Sequence, residues 1–255
     1  MTSPIIIIGM GELGELFARG LLKLGCPVVP VLRGTDMDAL ARAIPSPALV
    51  LVAVGENDLH PLLSGLPPVW RPRLALLQNE LLPRDWQAHG LSDPTVIVVW
   101  FDKKKGRLFV PVLPTPVAGP QAALIRESLD IIDVPCWEIP RGELLYEMVR
   151  KNLYILTINI AGLRAGGTVR QLWRDHRALA AAVAAEILDI QTSLTQQALP
   201  RDRLMAGMLE GFLGDPEHIC TGRSAPERLQ RARRHARAAG LATPTLDAIA
   251  ADLGP

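Results

Sequence analysis

Ile5-Ile6-Ile7-Ile8-Gly9-Met10-Gly11-Glu12-Leu13-Gly14 decides the fold. Four consecutive Ile do not alternate apolar and polar faces, so the run reads as a strand buried on both sides, as in a parallel sheet. It stops at Gly-x-Gly-x-x-Gly, formed by Gly9, Gly11 and Gly14. Behind it, Leu13, Leu16, Phe17, Gly20, Leu21 and Leu24 recur at helical spacing, and Gly25 ends the helix. Strand, glycine turn and helix in this order form the context in which such a pattern binds a dinucleotide. Gly9 permits the tight turn, Gly11 lets the backbone approach a pyrophosphate, and Gly14 lets helix and strand pack closely. The pyrophosphate would sit on the free N–H groups of the helix N-terminus. The plain alternative is an ordinary strand-to-helix turn of an α/β protein.

Outward from this stretch, Pro27 to Leu32 reads as a second strand ending in Arg33-Gly34-Thr35, with no acid before Asp36. An NAD site usually places Asp or Glu near this strand end for the ribose 2′-OH. Arg33 is instead placed to pair with a 2′-phosphate, and Thr35 could add a hydroxyl, so the expected cofactor is NADP. The alternative is a solvated loop arginine. Asp36 or Asp38 can cap a short helix through Ile44. Ala48 to Val54 is a third buried strand ending in Gly55-Glu56-Asn57-Asp58, where a nicotinamide ribose could lie against the strand's C-terminal edge. Leu74 to Asn79 is a fourth parallel candidate ending in a polar pair. Val96 to Phe101 and Arg107 to Val112 read as a hairpin around Lys103-Lys104-Lys105-Gly106, a solvated turn. Pro111, Pro114, Pro116 and Pro120 leave little room for regular structure, and Val134 to Ile139 reads as a last edge strand.

Composition shifts after Pro140, and residues 141 to 255 read almost wholly helical. The expected fold is therefore α/β: an N-terminal Rossmann-type doubly wound sheet over residues 1–140, then an all-helical domain over residues 141–255. Glu143 to Leu163 and the alanine-rich Ala178 to Leu194 are long helices. Ser224 and Glu227 match a capping box, and the helix behind them runs to Gly240. Its six Arg between Arg223 and Arg237 read as a solvated face.

The chain has 255 residues, 49% hydrophobic and 21% charged, with a net charge of +1, so no overall field recruits nucleic acid or a membrane surface. No apolar run approaches the roughly 20 residues of a membrane helix. Cys26, Cys136 and Cys220 lie far apart, with no metal spacing and no disulfide framework, which fits a reducing, cytoplasmic compartment. No basic stretch precedes the Ile run, so it is not read as a signal peptide.

Within this layout Asn79 stands at a strand end and Lys151 inside a long helix. Asn159 follows eight residues on, about 80° round the helix, so the two side chains can converge. The alternative for Lys151 is a surface residue paired with Glu147 at i−4. The glycines, Leu76-Leu77-Gln78-Asn79, the segment Lys151 to Asn159 and the run Arg233 to Pro244 resemble the ketopantoate reductase (2-dehydropantoate 2-reductase) family. The resemblance implies an NADPH-dependent reductase of a small 2-oxo acid. Lys151 would be the general acid, Asn79 would sit beside nicotinamide and substrate, and Asn159 would help bind the substrate. The implied cofactor-binding set is Gly9, Met10, Gly11, Glu12, Leu13, Gly14, Arg33, Val54, Gly55 and Asn79, with no metal. The chain departs from the family pattern at Gly55-Glu56, where a Lys is usual, and at Glu80, where Gly is usual. It also departs at Ile155, where an Asn is usual, and near Ser224, where an acid is usual. Those departures point to a more apolar 2-oxo acid. The small residues of the helical half also admit a homodimer. Two other readings stay open: a cofactor-binding protein that has lost catalysis and serves as sensor or partner, and another 6-phosphogluconate-dehydrogenase-like oxidoreductase.

Overall fold

A computed structural model describes residues 3–103, 106 and 109–254. It divides into two compact units, Met1–Met148 and Val149–Pro255.

In the first unit the Ile run is β1 (Ile5–Ile8), and all four side chains are buried. Burying each is worth about 1.5–3 kcal/mol. Around it stand α1 (Glu12–Lys23), β2 (Val28–Val31), α2 (Met37–Ala43), β3 (Leu49–Val52), α3 (Glu56–Ser64), β4 (Leu74–Leu76), α4 (Pro83–Gln87) and β5 (Thr95–Ile97). Then follow β6 (Phe101–Asp102), β7 (Val110–Pro111), β8 (Thr115–Ala118), α5 (Ala122–Asp130) and β9 (Cys136–Glu138). The main sheet runs β2-β1-β3-β4-β5-β8-β9. The pairs from β2 through β5 are parallel. β1 lies between β2 and β3, so the strand order reverses beside it, and in open α/β sheets ligands bind at the carboxyl ends of the strands flanking that point.

Two sequence expectations fail here. Val96 to Phe101 is not one strand of a hairpin. Its first residues belong to β5, paired with β4 and, antiparallel, with β8; only Phe101–Asp102 pairs with Val110–Pro111. Lys104, Lys105, Arg107 and Leu108 of the expected hairpin lie outside the described residues. The proline-rich stretch does form regular structure, since β8 contains Pro116 and is buried throughout. Pro116 faces the end of β5, where its carbonyl still accepts from the Val98 N–H at 2.9 Å, so the missing N–H interrupts no interior ladder bond.

α1 ends as the glycine requires. Gly25 takes φ 78°, its N–H donates to Leu22 O and the Cys26 N–H to Leu21 O, a Schellman closure. α1 packs on α5 so tightly at Gly20 that a Cβ there would collide with the Ser128 carbonyl.

The second unit is helical. α6 (Arg141–Ala165) leads into it, followed by α7 (Val169–Asp175), α8 (Arg177–Thr195), α9 (Arg201–Gly214), α10 (Ala225–Ala238) and α11 (Pro244–Asp252). α8 corrects the expectation about membrane-length runs, because it is long and apolar enough to cross a membrane by length and composition. It also carries buried Glu186, whose carboxylate accepts the Thr245 and Leu246 N–H groups at 2.7 and 3.0 Å and so caps α11. α7, α10 and α11 pack against α8. The capping box expected at the start of α10 is not made. Ser224 makes no side-chain cap bond and stands near helical angles, φ −87° and ψ 1°.

Gly20→Ala forces a methyl into the backbone of α5, which cannot move away as a flexible side chain would. The expected cost is about 1–3 kcal/mol, read as a fall in melting temperature. An unchanged melting temperature contradicts the α1–α5 contact.

Candidate functional site

The three glycines of the turn do three different things. Gly9 holds φ 95°, and a Cβ there would stand 2.7 Å from the Ala53 carbonyl oxygen. A Cβ at Gly14 would collide with the Gly9 carbonyl oxygen, so this glycine lets α1 lie against the turn. Gly11 has ordinary extended angles, and a Cβ there would meet nothing within 4 Å. It caps α1 without a side chain, so no cap side chain satisfies the first N–H groups of the helix.

Beside this turn lies a cavity of about 560 Å³. Its walls are Ile8 of β1 with Gly9 and Met10 behind it, Val31 of β2 with Leu32 to Thr35 behind it, Met37 of α2, Val54 after β3, and Asp58, Pro61 and Leu62 on α3. Of the residues expected from sequence, it brings together Gly9, Met10, Arg33 and Val54. Glu12, Leu13 and Gly14 lie in α1, and Gly55 is the N-cap of α3. Met37, Pro61 and Leu62 were missed, because their contribution is set by how a helix lies over the strand ends rather than by any motif.

Arg33 is held out by a β-turn. The Thr35 N–H donates to Leu32 O, the Leu32 N–H donates to Thr35 Oγ1, both at 3.1 Å, and Gly34 supplies the positive φ of 87° at the third position. Thr35 therefore uses its oxygen as an acceptor inside the turn. The exposed guanidinium of Arg33 and the end of the cavity share this loop.

At the neighbouring strand ends, Gln78 donates to Val52 O and Val54 O at 2.8 and 3.2 Å, tying the tip of β4 to the tip of β3. Asn79 follows, and its Nδ2 donates to Glu56 Oε1 at 3.0 Å. Glu80 then takes φ 63°, a conformation suited to glycine and costly for a side chain by about 1–2 kcal/mol. Lys103, expected in a solvated turn, is instead mostly buried, its Nζ 3.0 Å from Glu12 Oε2. Nothing in the sequence marks this pair, which joins residues 91 positions apart.

In the second unit, Lys151 is half-buried on α6, its Nζ 5.2 Å from the centre of the Tyr154 ring, a cation–π contact. Asn159, two turns on, is buried. Its Nδ2 donates to Cys220 O at 2.9 Å and its Oδ1 accepts from Arg228 Nη1 at 2.5 Å. Arg228 corrects the reading of α10 as a solvated arginine face, being only 7% exposed. The apolar positions Leu229, Ala232 and Ala236 carry it inward, and Asn159 meets it there. Arg150 is likewise buried, donating to Gly207 O and Glu210. Thiol chemistry is disfavoured, since burial pushes Cys136 up to about 12 and Cys220 up to about 11. Among the described residues no group of three or more His, Cys, Asp or Glu could hold a metal ion.

Solved structures with this architecture include 2-dehydropantoate 2-reductase from Methylococcus capsulatus, with a TM-score of 0.68, 14% identity, and coverage of 98% of this chain and 95% of that one. The dimeric ketopantoate reductase from Staphylococcus aureus gives 0.66 at 15% identity over 98% and 97%. A D-mandelate dehydrogenase, in a ternary structure with NADH and anilino(oxo)acetate, gives 0.62 at 13% identity over 96% of each chain. No family model and no curated protein sequence matches the chain. At these identities the likeness establishes the fold: an α/β Rossmann-type unit followed by a helical one, as in the ketopantoate reductases, over nearly the whole chain.

Asn159→Leu removes a buried amide and with it the bonds to Cys220 O and from Arg228 Nη1. The expected loss of stability is about 1.5–3 kcal/mol, the range for hydrogen bonds to charged groups, measured by urea unfolding. A midpoint equal to the parent's would show that Asn159 does not hold Arg228.

Proposed function

We propose that this chain is an NADPH-dependent reductase of a small 2-oxo acid, with Lys151 as the general acid. The observation that carries the reading is the cavity at the carboxyl ends of β1, β2 and β3, with the open glycine turn at one side and Arg33 at the other. A ribose 2′-phosphate beside Arg33 would meet a guanidinium able to bind it through two N–H groups. That preference belongs to Arg33 and not to the fold, since the D-mandelate dehydrogenase of similar architecture was seen with NADH. When bound, the nicotinamide supplies hydride to the carbonyl carbon.

Charge then builds on the carbonyl oxygen, and Lys151 stabilises it and donates the proton. The Tyr154 ring supports the cation at its half-buried position. Asn79, held by Glu56, fixes an amide at the β4 strand end, where the substrate carbonyl would need orienting. Asn159 serves by holding Arg228 rather than by offering its amide to the substrate. The dimeric Staphylococcus aureus protein supports a homodimer for this chain as well.

A second reading is a cofactor-binding protein without turnover. The observation favouring it is the Asn79–Glu56 bond, which occupies an amide proton that a substrate would otherwise take. NADPH oxidation across a panel of 2-oxo acids separates the two. On an accepted substrate, Lys151→Met should keep NADPH affinity within a few-fold and cut turnover by roughly 10²–10⁴. Turnover at the parent rate by Lys151→Met removes the assignment of the acid. Binding of NADPH by the parent with no turnover on any acid establishes the second reading.

A further inference from the structure

We propose that Lys103 is a direct ligand of the cofactor's pyrophosphate, held at the glycine turn by Glu12. The inference rests on the dinucleotide reading above and adds a contact to that same site.

Three observations meet at one place. The α1 N-terminus is capped by Gly11 with no side chain, and the space above Gly11 is open. This is where a pyrophosphate fits, on orphan N–H groups and the positive end of the helix dipole. Glu12, the first residue of α1, puts a carboxylate at that same end. The carboxylate favours the empty helix, but it opposes an arriving anion. Lys103 stands 3.0 Å from that carboxylate, with its side chain only 20% exposed.

The ion pair resolves the conflict. Its ammonium cancels the charge of Glu12, so the glycine turn presents no net repulsion to a phosphate. An ammonium is a compact cation with three donors on a flexible stem, so it can hold a phosphate oxygen while keeping Glu12. Because the lysine is mostly out of solvent, its attraction for the phosphate is screened less than that of a surface lysine. Glu12 then orients the lysine, and Lys103 touches the ligand. A purely structural bridge between α1 and the segment after β6 would make the two residues equivalent. The proposal makes them opposite in sign.

The test titrates NADPH, and separately adenosine 2′-phosphate, which lacks the pyrophosphate, into the full chain and into Lys103→Met and Glu12→Gln. Lys103→Met should weaken NADPH about tenfold to a hundredfold, as loss of a charge-assisted contact does. It should leave adenosine 2′-phosphate within about twofold, and its deficit should shrink as salt is raised. Glu12→Gln should tighten NADPH, because it removes a negative charge beside the phosphates. Unchanged NADPH affinity in Lys103→Met overturns the proposal. So does equal weakening of both ligands, weakening by Glu12→Gln that matches Lys103→Met, or parent-like NADPH affinity in the double variant Lys103→Met with Glu12→Gln, which would mean that Lys103 only neutralises Glu12. A parent that binds adenosine 2′-phosphate but not NADPH overturns it while leaving the adenosine end of the cavity standing. A parent that binds neither overturns the dinucleotide reading itself.

Discussion

Three backbone segments meet at the end of β1 closer than side chains permit. The Gly9 turn lies under Ala53 at the end of β3, and Gly14 of α1 lies directly on the Gly9 carbonyl. The geometry of the candidate site in the first unit follows from this contact. It sets α1 with its N-terminus at the carboxyl edge of the sheet and brings the ends of β2 and β3 to either side. The one glycine of the three whose Cβ position meets nothing is Gly11. Close packing and open space are thus divided among residues of one type, with steric need at Gly9 and Gly14 and open space at Gly11.

Within each unit, polar groups are held in short, specific pairs. Glu12 is met by Lys103, Asn79 by Glu56, and Asn159 by Arg228. In each, a polar group that the resemblance assigns to cofactor or substrate is already engaged within its own unit. Such engagement orients a side chain at little entropic cost to later binding. It also means that a ligand gains only the difference between its own contacts and those already present. Glu80, in the left-handed region directly after Asn79, shows the backbone bent for position even where the residue type resists it.

The parallel sheet and its glycine turn were legible because both rest on local rules. Four Ile without alternation need two covered faces, and glycine spacing fixes where helix meets strand. Gly25 and Gly240 ended their helices as their positive φ values require. What failed was decided by partners distant in sequence. Pro116 argues against a strand when read alone, yet opposite the end of β5 its missing N–H falls at the end of the ladder rather than inside it. Ser224 and Glu227 have the spacing of a capping box, but the backbone at Ser224 has already turned helical. Arg228 belongs to a run of arginines that reads as solvated, but it lies beside the buried face of α10 and meets Asn159 of another helix there. Lys103 in a lysine run gave no sign of Glu12.

The central claim is that the glycine turn of the first unit receives a dinucleotide. Its most direct test is calorimetric titration of NADPH into the parent and into Gly11→Val. Gly11 has extended angles and empty space at its Cβ position, so the empty protein accommodates valine without strain. The account predicts measurable NADPH binding by the parent and none by Gly11→Val, with circular dichroism and ligand-free melting temperature the same in both. NADPH binding retained by Gly11→Val would contradict it, because the pyrophosphate would then lie elsewhere than on this turn.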